Sequence, residues 1–174
     1  MHINFPKMKK YFTQKNRFPV IILFVFALIV NSCKKDDMSG KTYFMSFTAN
    51  GTKVEYTVEG ALVATFSDAG NQHIGFFSGY NSITNLNLQV YDDVPISVKS
   101  YTGYNISNSI LLGVLIGYDD ESGTDYTQVG DDLVVNVTSI TDTSVSGTFS
   151  GTLKANGKPD IVIAGGKFTV KRFN

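Results

Sequence analysis

From residue 43 to residue 174, turn-forming residues recur every eight to twelve positions, and no apolar stripe at helical spacing intervenes. That punctuation predicts a series of short antiparallel strands. Asn50-Gly51 stands between two strand-like runs, 43–49 and 52–58. Both residues tolerate the positive φ of a type I′ turn, so the pair predicts a tight hairpin.

Further strands are expected at 61–66, 73–78 and 85–91. In the last of these Leu86, Leu88 and Val90 alternate with Asn85, Asn87 and Gln89, the period-two signature of one buried and one wet face. A short edge strand is expected at 96–100, after Pro95. The run 110–118 is almost continuously apolar and is broken only by Gly113 and Gly117, as suits a central strand. Residues 133–140 and 145–153 then form a hairpin about a turn at 141–144. Val145, Phe149 and Leu153 share a face with Gly147 and Gly151. The last strand spans 161–173, with Gly165-Gly166 predicting a bulge or bend. The expected fold is all-β, an antiparallel sandwich of about nine or ten strands, with a lipocalin-like barrel as the alternative.

The segment before this domain has a different character. Lys7, Lys9, Lys10, Lys15 and Arg17 precede Cys33 with no acidic residue among them. The chain has 15 basic and 15 acidic residues in all, so 10 basic residues face 15 acidic ones from Cys33 onward. Behind the basic stretch, residues 20–30 are uninterruptedly apolar. As a helix they would reach only about 16 Å, at ~1.5 Å per residue, against a bilayer core of roughly 30 Å. A basic region, a short apolar run and then small residues is the layout of a secretory signal.

Val30-Asn31-Ser32-Cys33 resembles the lipobox of bacterial lipoproteins. The resemblance implies cleavage between Ser32 and Cys33 and acylation of the Cys33 sulfur. Two or more acyl chains hold a protein stably on a membrane without a spanning helix. Lys34-Lys35-Asp36-Asp37 resembles the export signal that follows the cysteine in surface lipoproteins of the Bacteroidota. The expected organisation is a signal peptide at 1–32, a lipidated cysteine and tether at 33–42, and one β domain at 43–174. The expected location is the outer-membrane surface, with a periplasm-facing anchor as the alternative.

Composition removes several functions. One Cys supplies neither a disulfide framework nor a cysteine-rich metal site. An acidic second segment without basic blocks argues against nucleic acid as a partner. His73 is the one histidine after Cys33, which excludes a multi-histidine metal cluster within the chain, and no Gly-x-Ser-x-Gly elbow accompanies it.

Two groups of residues remain as candidates. Tyr91, Tyr101, Tyr104, Tyr118 and Tyr126 lie in or beside the acidic loops. Aromatic rings near carboxylates suit sugar recognition, and the same tyrosines also suit ordinary strand ends. Asp119, Asp120, Glu121 and Asp125 form a candidate calcium site, since calcium takes six to eight oxygens. The plainer reading is a set of solvated loops, and no Asp-x-Asp-x-Asp-Gly spacing is present. Asp92, Asp93, Asp131 and Asp132 complete the loop carboxylates, from which a hydrolase would draw its acid and base.

Phe47-Thr48-Ala49-Asn50-Gly51, the stretch from Ser146 to Leu153, and Gly166-Lys167-Phe168-Thr169-Val170 together resemble a group of Bacteroidota lipoproteins carrying an uncharacterised β-rich domain. Ser100-Tyr101-Thr102-Gly103-Tyr104 sits where that group has a Gly/Tyr turn. The resemblance implies an all-β surface lipoprotein and transfers no catalytic or binding residue. The expected function is a non-catalytic binding module for an extracellular ligand such as a glycan. The alternatives are an accessory subunit of an outer-membrane complex and a hydrolase using loop carboxylates.

Overall fold

The computed structural model describes residues 42–58, 60–129 and 132–173. The expected signal peptide, Cys33 and the tether up to residue 41 lie outside the described residues, as do Gly130 and Asp131. Twelve strands and no helix make up the described residues. The first six are β1 (Phe44–Ala49), β2 (Thr52–Tyr56), β3 (Leu62–Ala69), β4 (Gln72–Tyr80), β5 (Asn85–Asp92) and β6 (Ser100–Thr102). The rest are β7 (Tyr104–Ser107), β8 (Ile110–Asp119), β9 (Asp125–Val129), β10 (Val134–Ile140), β11 (Ser144–Leu153) and β12 (Ile161–Arg172).

The all-β expectation holds, with twelve strands where nine or ten are expected. Hydrogen bonding runs in the order β6-β10-β11-β12-β3-β4-β5-β8-β7. β1 joins β12 and carries β2, and β9 shares an edge of β8 with β7. Every pairing is antiparallel except one. Lys171 and Arg172 at the end of β12 run parallel to Val63 and Ala64 of β3, which makes the sheet mixed.

β12 is the strand that turns one flank into the other. Its earlier residues pair with β1 from Phe44↔Thr169 to Ala49↔Ile163, and its last residues pair with β3. β11 runs along its opposite edge throughout. The flank of β1, β11 and β12 thereby faces the flank of β4, β5 and β8. Phe47 of β1 meets Tyr118 of β8 edge-on at 5.6 Å between ring centroids, and Phe77 of β4 stacks on Phe168 of β12 at 5.2 Å. Leu62, Leu86, Leu88, Ile116, Leu153 and Ile163 fill the space between, each essentially without exposure. Burying such a side chain contributes roughly 1.5–3 kcal/mol.

β6 and β7 are successive in the chain, separated by Gly103 alone, yet lie at opposite ends of the pairing path. β6 pairs with β10 and β7 with β8. One bent segment therefore crosses between the two flanks, as corner strands do in sandwiches. Gly113 of β8 makes the corner fit. It has φ +126°, and a Cβ there would lie 2.1 Å from the Gly103 carbonyl oxygen. That oxygen accepts a hydrogen bond from the Val114 N–H at 2.8 Å.

The loop from β5 to β6 folds over one end of the core. Ile96 packs onto the core rather than joining a ladder, so the strand expected at 96–100 is limited to its last residue, Ser100. Lys99 forms an ion pair with Asp92, which is buried, and lies 4.9 Å from the centroid of the Tyr101 ring.

Candidate functional site

At the other end of β4 and β5, residues 81–84 form a braced loop. The Asn81 carboxamide oxygen accepts hydrogen bonds from the Ile83 N–H at 2.8 Å and the Thr84 N–H at 2.7 Å. The Asn81 N–H donates to the Thr84 carbonyl at 3.0 Å. Asn is suited to this role because its short side chain reaches its own backbone two residues on. Thr84 is anchored below by a buried hydrogen bond between its hydroxyl and the Tyr56 hydroxyl, 2.9 Å long. Burial pushes the Tyr56 phenol well above its ordinary value.

So fixed, the loop holds Ile83 and Tyr80 out to solvent, 61% and 51% exposed. Between them and the neighbouring strands lies a groove of about 560 Å³, bordered by Tyr80, Ser78, Asn85, Asn87 and Asp119. Its polar groups are already ordered. The Asn87 amide nitrogen donates to the Asn85 carboxamide oxygen at 3.3 Å, and the Asn85 amide donates to Asp119. This chain of amides runs toward one carboxylate, and each amide is oriented by the next. A second hollow of about 480 Å³ lies on the far side of the same loop, bordered by Lys53, Glu55, Tyr118 and Glu121.

The five tyrosines expected at the site do not form one surface. Tyr101, Tyr118 and Tyr126 are each 4% exposed and belong to the core. The Tyr101 hydroxyl accepts from the Ser97 N–H at 2.9 Å and donates to the Ser97 carbonyl at 3.0 Å. Tyr118 and Tyr126 are direct cross-strand partners, and burial followed by the nearby Asp120 carboxylate raises the Tyr118 phenol. Only Tyr91 and Tyr104 of the five face outward, on either side of Gly113. The Tyr91 hydroxyl donates to Gln89, and burial raises this phenol too. The ring at the groove is Tyr80, which stands beside the uncharged loop 81–84 and away from the acidic loops.

Most of the acidic residues are likewise engaged. Asp119 accepts from Asn85. One Asp120 oxygen accepts from the Ser122 N–H at 2.8 Å, the Ser122 hydroxyl at 2.6 Å and the Thr124 N–H at 2.9 Å. These bonds, the Ser122 hydroxyl foremost, hold the Asp120 carboxyl below its ordinary range. Asp125 accepts from the Thr127 hydroxyl at 2.6 Å. Glu121 is exposed at the turn. Among the described residues no three His, Cys, Asp or Glu side chains are grouped so as to hold a metal ion, so the expected calcium set does not assemble. Asp92 is paired with Lys99, Asp93 is exposed and donates its N–H to Asp92, and Asp132 accepts from the Thr152 N–H. His73 contacts Asp68 at 2.5 Å across the β3–β4 hairpin.

No protein family, curated protein or solved structure matches the chain.

Proposed function

We propose that this chain is a lipid-anchored lipoprotein of the outer-membrane surface whose β domain binds an extracellular glycan without catalysis. The observation that carries the binding role is the exposed Tyr80 ring beside the ordered Asn87–Asn85–Asp119 chain. A sugar has apolar ring faces and hydroxyl edges, and such a lining offers a match for both. The braced loop at 81–84 means that little side-chain or backbone freedom is lost on binding, which favours affinity. The non-catalytic reading is supported by the carboxylates, most of which serve turns, strand ends or an ion pair. The anchor rests on Cys33 behind a basic and apolar leader.

Two experiments test the proposal. Growth of the native host with an alkyne-tagged fatty acid labels the protein, and Cys33→Ser abolishes the label; an unlabelled native protein overturns the anchor. On a glycan array the native protein retains a ligand that Tyr80→Ala binds at least about tenfold more weakly. A blank array overturns the binding role.

An accessory role in an outer-membrane complex is a second reading, favoured by a different observation. Val94, Val98 and Ile106, at the end of the molecule away from the groove, are 50%, 57% and 62% exposed. Crosslinking in intact cells through cysteines placed at these positions recovers a partner under this reading, and an absence of adducts removes it.

A further inference from the structure

The hollow of about 480 Å³ on the far side of the 81–84 loop draws its lining from both flanks. β1 and β2 border it on one side, and the loops at 81–84 and 120–122 border it on the other. Its size is that of a small-molecule site.

Tyr118 reaches this hollow from within the core. It follows Ile116 on the inward face of β8, its ring meets Phe47 edge-on, and only 4% of it is exposed. A tyrosine hydroxyl so deeply seated ordinarily has a hydrogen-bond partner, as Tyr56 has in Thr84 at 2.9 Å. The Tyr118 hydroxyl bonds to no protein group among the described residues. It is the one polar atom that this side chain brings to the lining.

The charge around it is unbalanced. Lys53 and Glu55 pair with each other at 2.9 Å. Asp120 and Glu121 have no such counter-ion in the lining. The bonds from Ser122 and Thr124 all go to one Asp120 oxygen, and Lys158 acts on this carboxylate from outside the lining. Glu121 is exposed and forms no ion pair among the described residues. After burial, the fields of Asp120 and Glu121 are what keep the proton on the Tyr118 phenol. A field of that sign favours a cation beside the hydroxyl and repels an anion.

The remaining lining is apolar. Val54 is half-buried, Ile161 is buried, and Ile83 is held in place by the Asn81 brace. A neutral phenol oxygen and a carboxylate both accept hydrogen bonds, and the three aliphatic side chains accept hydrocarbon. A charged donor on an alkyl stem matches all of these, as a lysine side chain does elsewhere with its apolar stem and ammonium head.

We infer that this hollow binds an alkylammonium group, which donates to the Tyr118 hydroxyl and the Glu121 carboxylate and lays its stem against Val54, Ile83 and Ile161. The site is separate from the groove beside Tyr80 and stands or falls independently of the glycan reading. A free aliphatic amine and a lysine side chain of a peptide carry the same chemistry.

Titration of the isotope-labelled full-length protein in an amine-free, uncharged detergent, followed by amide chemical shifts, tests this. The probes are n-butylamine, n-hexylamine and Nα-acetyl-lysine amide, with butyrate and 1-butanol as the anionic and neutral comparisons. n-Butylamine is expected to bind with a dissociation constant of about 1 mM and to shift the Thr52, Ile83 and Ser122 amides. n-Hexylamine is expected to bind more tightly, and butyrate and 1-butanol at least about tenfold more weakly. Tyr118→Phe keeps the ring and removes the hydroxyl, and Glu121→Gln removes a charge at an exposed position. Each is expected to weaken amine binding at least about fivefold while the thermal midpoint stays near native. Tighter binding of Nα-acetyl-lysine amide than of n-butylamine identifies a peptide lysine as the source, and the reverse order identifies a free amine.

Butyrate or 1-butanol binding as tightly as n-butylamine overturns the alkylammonium class. Native affinity in both folded variants overturns the placement at Tyr118 and Glu121. No saturable shift with any amine overturns the site, and none of these results bears on the glycan reading.

Discussion

The ring of Phe168 fills the space that a side chain on Gly147 would need. The two are direct partners between β11 and β12, and a Cβ on Gly147 would lie 2.6 Å from the Phe168 ring and 2.2 Å from the Asn136 carbonyl oxygen. The relationship is repeated in reverse two residues on. Phe149 faces Gly166, where a Cβ would lie 2.7 Å from its ring. Two phenylalanines are thus seated by the glycines opposite, and they bring the flanks into close contact.

Gly147→Ala is therefore expected to be severe for so small a change. Overpacking a core costs about 1–3 kcal/mol, and a clash with a backbone oxygen puts this substitution at the upper end. Urea unfolding measures it as a fall in midpoint at constant slope.

Part of this arrangement was legible in the sequence. Val145, Phe149 and Leu153 do share the buried face with Gly147. The Asn50-Gly51 hairpin forms with φ values of 49° and 82°, and the last strand bulges where Gly165 adopts φ +61°. These features have local causes, since each follows from what a residue type allows at its own position. β6, β7 and β9 were not foreseen. Tyr104–Ser107 is exposed at every position, and in β9 Asp125 and Thr127 are exposed on either side of the core residue Tyr126. A strand that buries so little leaves no alternation to read. Ile96 failed the other way: its apolar side chain marks a loop packed over the core.

The candidate site was less legible for the same reason. Tyr80 gains its place from a loop braced by Asn81, and the Asn87–Asn85–Asp119 chain forms only because β5 and β8 pair in register, which no single segment encodes. Proximity to acidic loops brought in Tyr101, Tyr118 and Tyr126, whose inward direction depends on strand phase.

Tyr101→Phe separates ring from hydroxyl. The ring keeps its place in the core and beneath Lys99, while the Ser97 N–H and carbonyl lose their partner. The expected cost is about 1–2 kcal/mol, with faster hydrogen exchange at the Ser97 amide and no change in ligand affinity.

Alkali is expected to destabilise the protein. Burial raises Tyr56, Tyr91 and Tyr118 above the ordinary phenol value of 10.0, and the bond to Asp92 raises Lys99 above 10.5. In each case the folded state holds its proton more tightly than the unfolded chain. Their contribution is complete below pH 10 and is lost as the pH climbs through the raised values. Urea midpoints measured from pH 8 to 11 should fall above about 10. Tyr56→Phe costs about 1 kcal/mol at neutral pH through the lost bond to Thr84, and it makes the alkaline decline shallower.

Asn81→Ala releases the loop without touching the sheet. The Ile83 and Thr84 amides lose their acceptor, and their hydrogen exchange accelerates while that of β4 and β5 is unchanged. Glycan affinity should fall about tenfold, because a freed loop must be ordered again on binding.

The grip of β12 on three neighbours has a kinetic consequence. Phe44 pairs with Thr169 across about 125 residues, so the ladder between β1 and β12 closes one of the longest loops in the domain. Until β12 arrives, the β1–β2 hairpin, β11 and β3 each lack a bordering strand. Such non-local pairing folds slowly and completes only once nearly all of the chain is free to collapse. For a polypeptide exported as proposed above, that delay keeps it threadable during passage and postpones the finished sheet to the far side.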